Sequence, residues 1–110
     1  MNVLAEAKVE IRIWARSVQT VRRAWLYGGW IREPSRPHSD IDIALELLGD
    51  VRLTARKAEM DMERRLRPEI MNILKRVHVK LYDPDVLSNK IVREAVDEHG
   101  ELLYSLGHDG

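Results

Sequence analysis

Leu4, Ala7, Ile11, Trp14 or Ala15, and Val18 recur at spacings of three and four, which predicts an amphipathic helix over residues 3–18. The period then changes. VRRAWLYG, residues 21–28, reads as a short strand closed by Gly28-Gly29. Pro34 and Pro37 make the following stretch, to Ser39, an irregular and stiff loop. From there Ile41, Ile43, Leu45 and Leu47 alternate with Asp40, Asp42, Ala44 and Glu46, a period-two strand with one apolar face and one largely acidic face.

A second helix is expected over residues 52–66, with Ala55, Ala58, Met62 and Leu66 inward and a dense set of charges outward. Pro68 interrupts it, and residues 69–75 can add a further helical turn or two. VHVKLY, residues 77–82, is another alternating strand, with Val77, Val79 and Leu81 on one face and His78, Lys80 and Tyr82 on the other. Asp83-Pro84-Asp85 turns the chain into a third helix over about 85–98, with an apolar stripe through Ile91 and Ala95. Gly100 ends that helix, and Glu101–Ser105 predicts a short final strand. The expected architecture is α/β or α+β, a small mixed sheet flanked by helices in a single domain, residues 1–110.

Composition narrows the class. Eighteen basic residues balance 18 acidic ones, so no global field draws the chain to nucleic acid. There is no cysteine, which removes disulfides, thiolate metal sites and cysteine nucleophiles. No apolar run approaches the roughly 20 residues that span a bilayer, and the charged N-terminal segment does not resemble a signal peptide, so a cytoplasmic setting is expected. An exposed edge strand and the apolar pair Trp30-Ile31 leave self-association open.

Chemistry concentrates between Gly28 and Asp42. Two aspartates at i and i+2 of a strand leave the same face, where each disfavours ionisation of the other unless a cation lies between them. Mg²⁺ suits such a pair, because it binds through one or two carboxylates together with substrate phosphates. Gly28-Gly29 can let backbone N–H groups approach a phosphate, with no Cβ in the way. Together these describe a site for a nucleoside triphosphate with its metal, serving phosphoryl or nucleotidyl transfer.

The stretch AWLYGGWIREPSRPHSDIDIALEL resembles the signature of the minimal nucleotidyltransferases, small members of the DNA polymerase β-like superfamily. Their pattern is a strand ending in Gly-Ser, a loop, then Arg-Pro-x-Ser-Asp-φ-Asp-φ, with φ apolar. Arg36 to Ile43 keep its second half intact. VHVKLYDPDVLSNKIVREAVDEHGELLYS is similar to the family's closing strand, last helix and small final strand, so the resemblance covers nearly the whole chain. It implies the nucleotidyltransferase fold, with Asp40 and Asp42 as catalytic residues and Mg²⁺ ligands. Gly28, Gly29, Arg32 and Ser39 would bind the nucleotide, most often ATP. The implied activity is transfer of a nucleoside monophosphate to a hydroxyl on a protein or small molecule. The implied biology is the antitoxin half of a pair with a HEPN-domain partner.

Three positions depart from the pattern. Gly29 replaces the usual serine, Trp30 and Glu33 alter the following turn, and the third family carboxylate aligns with Lys80. Parity places Lys80 on the acid-facing side, where it would pair with Asp40 or Asp42 in place of a metal. These departures keep a second expectation open, a non-enzymatic binding partner with the same fold. A third, a fragment resembling the antibiotic-modifying adenylyltransferases, rests on Gly28-Gly29-Trp30 and Arg36-Pro37-His38 alone.

Overall fold

The computed structural model describes residues 2–48, 53–83 and 90–107. Helix α1 spans Val3–Ser17; Asn2 caps it, its side chain accepting from the Ala5 N–H, and Ala7, Ile11, Trp14 and Ala15 form its buried face. Strand β1, Val21–Tyr27, leads through the short helix α2, Gly29–Arg32, to strand β2, Asp40–Leu47. Thr54 caps helix α3, Ala55–Arg65, through the Lys57 N–H, and Pro68 opens helix α4, Pro68–Met71. Strand β3, Arg76–Leu81, helix α5, Lys90–His99, and strand β4, Glu101–Ser105, complete the order.

The expected α+β architecture holds. The sheet runs β3-β2-β1-β4, with β1 antiparallel to both β2 and β4, and β2 parallel to β3. The β2-to-β3 connection carries α3 and α4, the helical crossover that a parallel pair needs. One face of the sheet is sealed: Ala24, Leu26, Ile41, Ile43, Leu45, Val77 and Val79 form one apolar cluster with Ile11, Trp14, Met62 and Ile70. The other face carries Arg23, Trp25, Asp42, Glu46 and His78. Arg23 clamps Glu46 with two hydrogen bonds (2.5 and 3.0 Å), and its guanidinium lies 5.2 Å from the Trp25 ring. Tyr82 stacks on Trp25 at 4.7 Å and donates to Asp97 Oδ1 (3.0 Å), which ties α5 to this face.

Several sequence expectations shift. The loop after Gly28 begins as a helical turn, α2, and only then becomes irregular. Trp30 and Ile31 pack against the core cluster, which removes the apolar loop as a reason for self-association. Edge strand β3 is partly covered, since Glu63 and Glu59 of α3 accept from the Val77 and Val79 N–H groups (both 3.2 Å). The expected stripe on the last helix is rotated. Val96 is the buried residue, whereas Ile91 is 82% exposed. The expected start of that helix and the Asp83-Pro84-Asp85 turn fall largely outside the described residues, as do residue 52 of the second helix and residues 108–110 of the tail. Among the described residues, no helix is long and apolar enough to cross a membrane.

Candidate functional site

The glycine turn is fixed by contacts that only glycine permits. Gly28 has φ +82° and ψ −147°, a region that side-chain-bearing residues avoid. A Cβ there would also lie 2.3 Å from Asp42 Oδ2. The Gly28 carbonyl accepts from the Ile31 and Arg32 N–H groups (both 3.0 Å), which starts α2. Its own N–H donates to His99 Nε2 at 3.0 Å, so Nε2 is the unprotonated ring nitrogen.

Gly29 has little room for a side chain. A Cβ at Gly29 would stand 2.8 Å from His38 Nδ1. His38 Nε2 donates to the Glu33 carbonyl (2.9 Å), and its ring meets Trp30 edge-on at 5.1 Å. The imidazole thus fills the space a serine side chain would need. Trp30 itself buries Nε1 without a hydrogen-bond partner among the described residues.

Asp40 and Asp42 share the polar face of β2, as the alternation predicts. Asp40 is exposed and Asp42 half-buried. Burial pushes the Asp42 carboxyl above its ordinary value, and the neighbouring Asp40 charge adds to that; His78, Arg32 and the Gly29 N–H oppose it. Tyr27 pairs with Asp42 across β1–β2, and burial together with Asp42 raises its phenol to about 12, so it stays protonated. A cleft of about 360 Å³ opens beside the acids, bounded by Gly29, Arg32, Arg36, Ser39, Asp40 and Asp42. Five of the six predicted site residues therefore meet at one cleft, while Gly28 lies behind it as a structural pivot.

The third position differs from the sequence expectation. Lys80 has the expected parity, but the parallel register sets it opposite Ala44, and it makes no ion pair with Asp40 or Asp42. The residue beside Asp42 is His78, whose Nε2 lies 4.0 Å from Asp40 Oδ2. Sequence reasoning passed over His78 and also His99. Parity gives the face of a strand and not its register, and no local signal joins His99 to Gly28 across 71 positions.

The donor set fits a Mg²⁺–triphosphate in outline. Two carboxylates stand on one cleft wall with room for phosphates, and Arg32 and Arg36 on its border can neutralise them. Among the described residues, no group of three His, Asp or Glu side chains is gathered to hold a metal by itself. Substrate phosphates would therefore have to complete the coordination.

The mixed four-stranded sheet, its helices and the cleft at the β1–β2 end make this a nucleotidyltransferase fold. No protein-family model and no curated protein sequence matches the chain. The fold is similar to that of a crystal structure of a toxin–antitoxin with AMP-PNP, at TM-score 0.55 and 20% identity, covering 99% of this chain and 77% of that one. It is also similar to a structure of a tri-AMPylated Shewanella oneidensis HEPN toxin in complex with an MNT antitoxin, at TM-score 0.52 and 18% identity over 94% of this chain and 72% of that one. A mutant MntA–HpeT toxin–antitoxin structure gives 0.53 and 18%, over 94% and 75% of the two chains. At these identities the shared property is the fold.

Proposed function

We propose that this domain binds a nucleoside triphosphate, ATP first among them, together with Mg²⁺, and transfers the nucleoside monophosphate to a hydroxyl. The setting would be cytoplasmic, with a HEPN-domain partner as acceptor and this chain as the antitoxin half of the pair. The observation that carries the reading is Asp40 and Asp42 on one wall of a cleft that Arg32 and Arg36 also border. Two structures of similar fold support it, one with AMP-PNP and one holding an AMPylated HEPN toxin.

Arg32, Arg36 and Ser39 bind and orient the phosphates, and the Asp40 and Asp42 carboxylates would hold the cation. The acceptor oxygen forms its bond to the α-phosphorus as the bond to pyrophosphate breaks, and the hydroxyl proton leaves to solvent water. Bound Mg²⁺ would neutralise charge on the transferring group.

A second reading, a binding partner without catalysis, is favoured by two specific features. The Gly28 N–H expected to approach a phosphate is already held by His99, and the residue beside Asp42 on β3 is His78 rather than an acid.

Millimolar MgATP should raise the melting temperature of the purified protein, because ligand at about 100 times its Kd adds roughly 2.7 kcal/mol. An unchanged melting temperature would end the nucleotide-binding reading. Label from α-labelled ATP should then pass to a co-expressed HEPN partner and vanish in the Asp40→Ala, Asp42→Ala double variant. Binding without transfer selects the second reading.

A further inference from the structure

The glycine turn is held from behind by the far end of the chain. Helix α5 ends tightly: the Gly100 N–H donates to the Val96 carbonyl (2.8 Å), and a Cβ at Gly100 would stand 2.7 Å from that oxygen. The helix is seated on the sheet by Val96, which is buried, and by Asp97, which accepts from the Tyr82 hydroxyl. These contacts deliver the half-buried His99 to the end of β1, where its Nε2 accepts from the Gly28 N–H at 3.0 Å. Gly28 is buried and does not line the cleft, so this N–H is directed at α5 and not at a phosphate in the cleft.

The turn passes the restraint on to Asp42. Asp42 Oδ2 packs into the space that a Cβ on Gly28 would fill, and the next N–H, that of Gly29, favours the charged form of the same carboxylate. Rotating the peptide at Gly28 would disturb both contacts. A glycine offers little resistance of its own to such rotation, so the hydrogen bond from α5 supplies it.

We infer that His99 is a positioning residue for the acid pair: its unprotonated Nε2 sets the Gly28–Gly29 turn, and the turn sets the Asp42 carboxylate for the nucleotide and its cation. This rests on the reading of the cleft as a nucleotide site. His99 acts through the turn, which joins the last helix to a cleft it does not line.

The test uses the full chain. In isotopically labelled, ligand-free protein, NMR should show a scalar coupling between the Gly28 nitrogen and His99 Nε2, the mark of an N–H donating to a ring nitrogen. The coupling should persist when MgATP is bound. Calorimetric titration with MgATP, at a temperature where the proteins are folded, should give a Kd at least about tenfold higher for His99→Ala than for wild type. His99→Gln can present an acceptor oxygen near the place of Nε2 and should recover most of that affinity. Val96→Ala controls for a general loosening of α5: it should lower the melting temperature and leave the Kd unchanged. The inference is overturned, with the nucleotide reading intact, if the coupling is missing or is lost on binding MgATP. It is equally overturned if His99→Ala binds as well as or better than wild type, if His99→Gln recovers nothing, or if Val96→Ala weakens binding as much as His99→Ala. If wild type binds no MgATP, the nucleotide reading falls and takes this inference with it. The coupling is read on wild type and needs no variant to fold.

Discussion

The two faces of the sheet use the same four strands and reach opposite solutions. On one face Ile41, Ile43 and Leu45, each with no exposed surface, alternate into the core cluster. On the other, the intervening Asp40, Asp42 and Glu46 stay polar and partly wet, and only Ala44 is fully buried. Glu46 is neutralised by a two-pronged contact with Arg23, which is ordinary sheet construction. Four and six residues before it, Asp42 and Asp40 have no such two-pronged basic clamp among the described residues. The polar face is thus built for stability at the Arg23 end and left electrostatically incomplete at the Gly28 end. Such local incompleteness is what a charged ligand can satisfy.

Substitutions on each face should separate these roles. The largest effect belongs to the sealed face. Ile43→Ala should cost about 2–5 kcal/mol, read as a lower urea midpoint, because it opens a cavity where nothing can collapse in. Gly28→Ala comes next, at about 1–3 kcal/mol from backbone strain, and it should also displace Asp42 and abolish any MgATP-induced stabilisation. If Gly28→Ala keeps that stabilisation, the turn is not coupled to the site. His99→Ala should cost about 1–2 kcal/mol by leaving the buried Gly28 N–H without its acceptor, a loss seen by hydrogen exchange at that amide.

The smallest effect carries a sign. The folded-state pKa of Asp42 is raised, chiefly by burial, so the folded chain holds this proton more tightly than the unfolded chain does. Its contribution to stability is full below the ordinary carboxylate value of 3.8 and is lost as pH rises through the folded value. Asp42→Asn never acquires the charge. It should match wild type in acid and become the more stable protein toward neutral pH, in urea titrations run at a series of pH values. A variant that is less stable than wild type at neutral pH would mean that Arg32, His78 and the Gly29 N–H outweigh burial.

Much of this contrast was legible in the sequence. The alternation from Asp40 to Leu47 gave both faces of β2 correctly, and the final strand emerged where Glu101–Ser105 predicted it. The Asp pair and Arg32, Ser39 and Gly29 meet at one cleft because they lie within a short connection between two adjacent antiparallel strands. What stayed illegible depends on register or on distance. Parity put His78, Lys80 and Tyr82 on the acid-facing side of β3, but a shift of two residues along a parallel pair leaves parity unchanged, so His78 and Lys80 could not be distinguished. The lack of room at Gly29 required seeing the His38 ring in its space. Ile91 fitted a helical stripe by spacing, yet α5 presents Val96 to the sheet instead.

The parallel pairing of β2 with β3 also sets an order of assembly. The acid strand and the glycine turn are close in sequence and can meet as soon as β1 and β2 pair. His78 arrives only after the whole α3–α4 crossover has folded back, and His99 later in the chain still. Closing long loops costs entropy before any contact repays it, so these two histidines should join last. In refolding experiments, protection of the Gly28 amide would then lag behind protection of the β1–β2 amides, and the cleft would become able to bind only when the rest of the domain is complete.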